Sequence, residues 1–130
     1  MDNYSQLSHT HFQYKLWRNE VEMIKQETDF FLTIINEIPD TDDTAYKTEK
    51  ETFINQFHHF QRFATHVLEE LDNAEKNLAE SVVNHKTLDK EQKLDQKYLR
   101  EEVDYFEQDY REVKSKFRNF VALSDALPVD

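Results

Sequence analysis

Six histidines in a chain of 130 residues raise the question of metal binding first. A di-iron bundle uses Glu-x-x-His on two helices, because that spacing turns a carboxylate and an imidazole inward together. The residues three before His58, His59, His66 and His85 are Asn55, Gln56, Phe63 and Val82, so that motif is absent. No His-x-x-x-His pair occurs either. His66 and Glu70 do stand one helical turn apart, and His59 lies two turns before His66 on the same flank. A metal or small-ligand site in this chain would therefore use His59, His66 and Glu70, with the acids of the last segment as neighbours. The plainer reading places these histidines at the rim of an aromatic core. His9 and His11, two apart, point to different sides of a helix and do not chelate together there.

Carboxylates offer two further patterns. Asp40, Asp42, Thr44, Tyr46, Thr48 and Glu51 fall at positions 1, 3, 5, 7, 9 and 12 of a calcium-loop template. The turn glycine that the template requires is Ala45, so the segment reads better as the capped start of a helix. Glu101, Glu102, Asp104, Glu107, Asp109 and Glu112 form the densest acidic stretch. Crowded acids can raise one another's pKa and hold cations. A solvated helix face explains them more simply, with Glu107–Arg111 and Glu112–Lys116 spaced as ordinary pairs.

Nucleophilic and phosphate chemistry find little support. Phosphate loops and nucleophile elbows need glycine, and the chain contains none; with no cysteine, thiolates and disulfides are excluded. The five serines, Ser5, Ser8, Ser81, Ser115 and Ser124, have no accompanying histidine and acid. The expectation is a non-enzymatic protein without a cofactor.

The elements that would position these residues are helices. A glycine-free chain whose only prolines are Pro39 and Pro128 favours long helices joined by few turns. From about residue 5 to 38, Leu7, Thr10, Tyr14, Trp17, Val21, Ile24, Thr28, Phe31, Ile35 and Ile38 recur in alternating steps of three and four. Leu16, Met23, Phe30 and Ile34 widen that face. Pro39 stops the helix, and Asp42, Asp43 and Thr44 are N-cap candidates for the next. A second seam, over about 44–83, contains Tyr46, Lys50, Phe53, Phe57, Phe60, Ala64, Val67, Leu71, Ala74 and Leu78. The pattern lapses around Asn84–Thr87, where Thr87 or Asp89 could cap a third helix over about 88–123. That helix carries Leu99, Val103, Phe106, Tyr110, Val113, Phe117 and Phe120 and should fray ahead of Pro128.

The expected fold is thus all-α: one domain over 1–130, an elongated antiparallel three-helix bundle with coiled-coil-like heptad seams. Folding at the two breaks puts Phe31, Phe53 and Phe117 in one layer, Ile24, Phe60 and Tyr110 in another, and Trp17, Val67 and Val103 in a third. At 1.5 Å per residue the rod should be roughly 50–60 Å long. The polar seam members Thr10, Thr28, Lys50, Gln92 and Gln96 could fix register, and Lys50 is expected near a helix end or pointing outward.

With ten Phe, six Tyr and one Trp, the chain has more aromatics than its seams use. Phe12, Leu16, Phe63, Tyr98 and Tyr105 sit off the seams and are the expected interaction surface, for a protein partner or a second copy in a homodimer. The formal net charge of −11 disfavours nucleic acid and anionic membranes. The apolar run 30–35 is too short to span a bilayer, and the first residues lack a signal peptide's basic and apolar regions. Cytoplasmic location is expected.

The stretch 7–11 continuing through Trp17 to Phe31 resembles the opening helix of a group of small uncharacterised all-helical Bacteroidetes proteins, of the form His…Trp…Leu-x-Phe-Tyr-Lys-Asp-Glu-Ile…Phe. The segments 55–57, 103–107 and 113–120 are similar to that group's later helices. The sequence departs at Met23 and Ile24, where the group tends to have aromatics. With no established activity in the group, the resemblance implies a stand-alone helical interaction or scaffold bundle in a bacterial cytoplasm.

Overall fold

The computed structural model describes residues 3–84 and 87–124, with side chains from residue 5 onward; His85, Lys86 and Pro128 lie outside the described residues. It contains three helices, α1 (Asn3–Glu37), α2 (Thr44–Val83) and α3 (Lys90–Ser124), and no strand among the described residues. The short connections make successive helices antiparallel. At 1.5 Å per residue the 35-residue α1 spans about 52 Å.

Each helix boundary has a local cause. Pro39 ends α1, whose last turn tightens through a hydrogen bond from the Ile38 amide to the Ile35 carbonyl at 3.3 Å. Lys50 then reaches back from α2. Its ammonium donates to the Ile38 carbonyl at 2.9 Å and to Asp40 at 2.8 Å, closing the first connection. Lys50 therefore sits near a helix end as expected, but its side chain is only 12% exposed and caps α1. Of the three N-cap candidates for α2, Asp43 serves: its backbone is extended and its carboxylate accepts from the Ala45 amide at 3.0 Å. Asp89, not Thr87, opens α3. Asp89 accepts from the Gln92 amide at 2.8 Å while the Gln92 side chain accepts from the Asp89 amide at 3.1 Å, a reciprocal capping box that starts the helix at Lys90.

The three seams meet in one hydrophobic core. Val21, Ile35, Phe57, Ala64, Val67, Leu71 and Val103 have no exposed surface. The register follows the sequence layers: Phe117 packs 5.1 Å from Phe31 and 5.4 Å from Phe53, and Phe60 meets Tyr110 edge-on at 5.5 Å, all between ring centroids. Aromatic pairs of this kind add about 0.5–1.5 kcal/mol beyond area burial. Thr10 and Thr28 are buried on the seam, and Thr28 satisfies its hydroxyl by donating to the Ile24 carbonyl at 2.8 Å. Gln92 donates to Ser81 at 2.8 Å and Gln96 to Gln13 at 2.5 Å, so these polar residues tie α3 to α2 and to α1. Ion pairing of Arg18 with Asp72, and a hydrogen bond from Gln61 to Asp29, fasten α1 to α2. Helices α1 and α3 approach one another least, which leaves a groove between them. No helix among the described residues is long and apolar enough to cross a membrane.

Candidate functional site

Three surface features carry chemistry. The first is apolar. On α1, Phe12, Leu16, Met23 and Phe30 are 63%, 45%, 69% and 60% exposed. Their steps of four, seven and seven residues keep them in one stripe, on the side of the helix turned away from the seam of Tyr14, Trp17 and Val21. Of the four, Met23 lines the α1/α3 groove, beside Glu20, Glu27, Glu107, Arg111 and Lys114. Leu94, Tyr98 and Tyr105 form a separate exposed set on α3. Of the residues expected from sequence to form an interaction surface, Phe12, Leu16, Tyr98 and Tyr105 are exposed. Phe63 is half-buried, 5.1 Å from the Phe106 ring, and belongs to the edge of the core. Met23 and Phe30 complete the stripe, and their place off the seam was the signal for it.

The second feature lies between α2 and α3. One helical turn brings His66 and Glu70 to the same flank of α2, and the His66 Nε2 atom is 2.5 Å from Oε1 of Glu70. Glu102 enters from α3, its Oε1 atom 3.9 Å from the same nitrogen. One ligand atom from each of the three side chains lies within 4.8 Å of the other two. His66 is largely exposed, whereas the Glu102 side chain retains 9% of its surface. Oε2 of Glu102 is buried without a hydrogen-bond partner, and the buried Oε1 of Glu70 has the His66 ring nitrogen beside it. Burial pushes the Glu102 carboxyl above the usual carboxylate range and the Glu70 charge pushes it further, while His66 and the Tyr98 hydroxyl act the other way. The charges of Glu102 and Glu70 in turn raise the Tyr98 phenol.

Sequence spacing placed His66 and Glu70 together and named His59 as their companion. His59 instead lies against the rings of Phe60 and Phe63, 5.9 and 6.1 Å between centroids, two turns from His66, and the third residue of the group is Glu102. A signal for Glu102 existed in the register. Val67 and Val103 share a layer, and His66 and Glu102 each precede one of them, on flanks that face each other.

The third feature spans the α1/α3 groove. Glu107, its side chain 17% exposed, faces Glu20 across it, and burial together with a hydrogen bond to Glu20 and its charge raises the Glu107 carboxyl to about 7. Arg111, 3.6 Å away on the next turn, opposes that shift. One step along, Glu27 accepts from Tyr110 at 2.5 Å and pairs with Lys114 at 2.6 Å. Burial works to raise the Glu27 carboxyl, but those two partners outweigh it and hold it below its ordinary value.

Other candidates resolve into structure. In the calcium-like segment Asp40 binds Lys50, Asp43 caps α2, and the Thr48 hydroxyl bonds to the Thr44 carbonyl. Within the acidic stretch, Glu107–Arg111 pairs as its spacing suggests, while Glu112–Lys116 is not among the ion pairs of the described residues.

Compared with family models, with curated proteins and with solved structures, the chain finds no match in any of the three.

Proposed function

We propose that this chain is a non-enzymatic helical scaffold that works by docking the outer face of α1 onto a second copy of itself. The observation that carries the reading is the exposed stripe of Phe12, Leu16, Met23 and Phe30. A solvated helix face is normally polar, yet four large apolar side chains here follow one line for about 27 Å. Covering them removes roughly 500 Å² per protomer. The rim of the adjoining groove has to supply the remainder of the about 800 Å² per partner typical of a stable interface.

A second copy carries the matching stripe, and the basic groups of the groove beside it are already paired within the chain, Arg111 with Glu107 at 3.6 Å and Lys114 with Glu27 at 2.6 Å. A twofold arrangement then sets stripe against stripe and extends the bundle from three helices to six.

Sedimentation equilibrium tests the reading. The protein should dimerise at about 10 µM, with Met23→Lys and Phe30→Ser together raising the dissociation constant at least about 30-fold while leaving the melting temperature of the monomer unchanged. A chain that stays monomeric at about 100 µM removes self-docking as its function.

A further inference from the structure

We propose that His66, Glu70 and Glu102 form a divalent metal site of the zinc class that joins α2 to α3. The donor set is one imidazole nitrogen and two carboxylates. Zinc accepts both types, and a site with three protein ligands and one open position is a familiar zinc arrangement. Calcium, which takes six to eight oxygen ligands, suits an imidazole poorly.

Three observations converge. The ligand atoms already lie within 4.8 Å of one another, so small side-chain rotations bring them to the roughly 3–3.5 Å mutual spacing of ligands on a tetrahedral ion. The Glu102 side chain keeps only 9% of its surface and is turned into the cluster, where its Oε2 atom is buried without a hydrogen-bond partner. The charges balance as well. Two carboxylates converge on the cluster, and a divalent ion between them matches their charge and occupies the oxygen left over on Glu102. The exposed edge of His66 gives the ion an entry path and leaves room for water as a further ligand.

The site is independent of the α1 stripe. Helix α1 contributes no ligand, so zinc binding and dimer formation can fail separately.

Zinc chloride titrated calorimetrically into the chelator-treated full chain provides the test. Binding should be one ion per chain with a micromolar or tighter dissociation constant, and saturating zinc should raise the melting temperature by about 5 °C or more. Glu102→Gln keeps the shape and removes one of two crowded charges, so it should fold at least as well while weakening zinc at least about 30-fold and abolishing the thermal shift. His66→Ala should do the same to binding, and His59→Ala should leave it unchanged. Absence of zinc binding below millimolar concentration overturns the proposal. So does binding that survives both Glu102→Gln and His66→Ala, which would place the ion elsewhere.

Discussion

The phenol of Tyr110 on α3 donates to Oε1 of Glu27 on α1 at 2.5 Å, from a ring that is only 3% exposed. Because α1 and α3 pack less closely than the other pairs, this contact and the Lys114 pair on the same oxygen are the main polar links across the groove. A hydrogen bond to a charged acceptor contributes more than a neutral one. Tyr110→Phe should therefore destabilise the protein by about 1–2 kcal/mol in urea titration, although the substitution leaves the ring packing on Phe60 intact. A loss of only a few tenths would mean that the Lys114 pair holds Glu27 in place without the phenol.

Glu107 gives stability a pH dependence of known sign. Its carboxyl titrates at about 7 in the folded chain against an ordinary 4.5, so between those values the folded state holds a proton that the unfolded state has released. The favourable contribution is intact below about pH 4.5, declines as pH rises, and becomes a standing penalty above about 7. That penalty is at most about 3.4 kcal/mol, and solvent screening of this partly exposed group makes it smaller. Glu107→Gln should melt at nearly the wild-type temperature near about pH 4 and several degrees above it near about pH 8. Parallel melting curves at both values would show that Glu107 ionises freely.

Phe57 and Phe30 separate core from surface. Phe57 has no exposed surface and meets Phe117 edge-on at 4.9 Å between centroids, so Phe57→Ala should cost about 3–5 kcal/mol. Phe30 is 60% exposed, and Phe30→Ala should change monomer stability by less than about 0.5 kcal/mol. Chemical denaturation of both variants checks the pair, and a large cost at Phe30 would assign it to the fold instead of to a docking face.

Lys50 closes the connection after Pro39. Lys50→Met keeps the aliphatic stem but removes the donor to Ile38 and Asp40, and the loss should be about 1 kcal/mol, with faster amide exchange at the end of α1. Unchanged exchange there would make the contact incidental.

The sequence made the helices and their register legible because alternating three- and four-residue steps admit one geometry, and antiparallel folding at two breaks then aligns the layers. The pairings of Phe31 with Phe117 and of Phe60 with Tyr110 follow from that spacing alone. What periodicity could not supply is the direction of long polar side chains. Lys50 is a seam residue by spacing, yet it turns along the rod to cap the neighbouring helix. His59 and His66 share a flank by arithmetic, but the ring at His59 rests on Phe60 and Phe63, and the nearest acid to the His66–Glu70 pair from another helix is Glu102. Such contacts depend on which flank of one helix meets which flank of the next, and a single seam does not encode that.

The aromatic layers are not spread evenly. Phe31, Tyr46, Phe53, Phe57, Phe117 and Phe120 crowd the end of the rod beside the first connection, with ring pairs at 4.9–5.5 Å. Around Leu7, Thr10, Leu78 and Ser81, the opposite end is held by smaller side chains and by the Gln92 hydrogen bonds. Local opening free energy follows local apolar burial, so this molecule has a hard end and a soft one. Heat or force should unzip it from the soft end, with the aromatic end keeping its contacts longest.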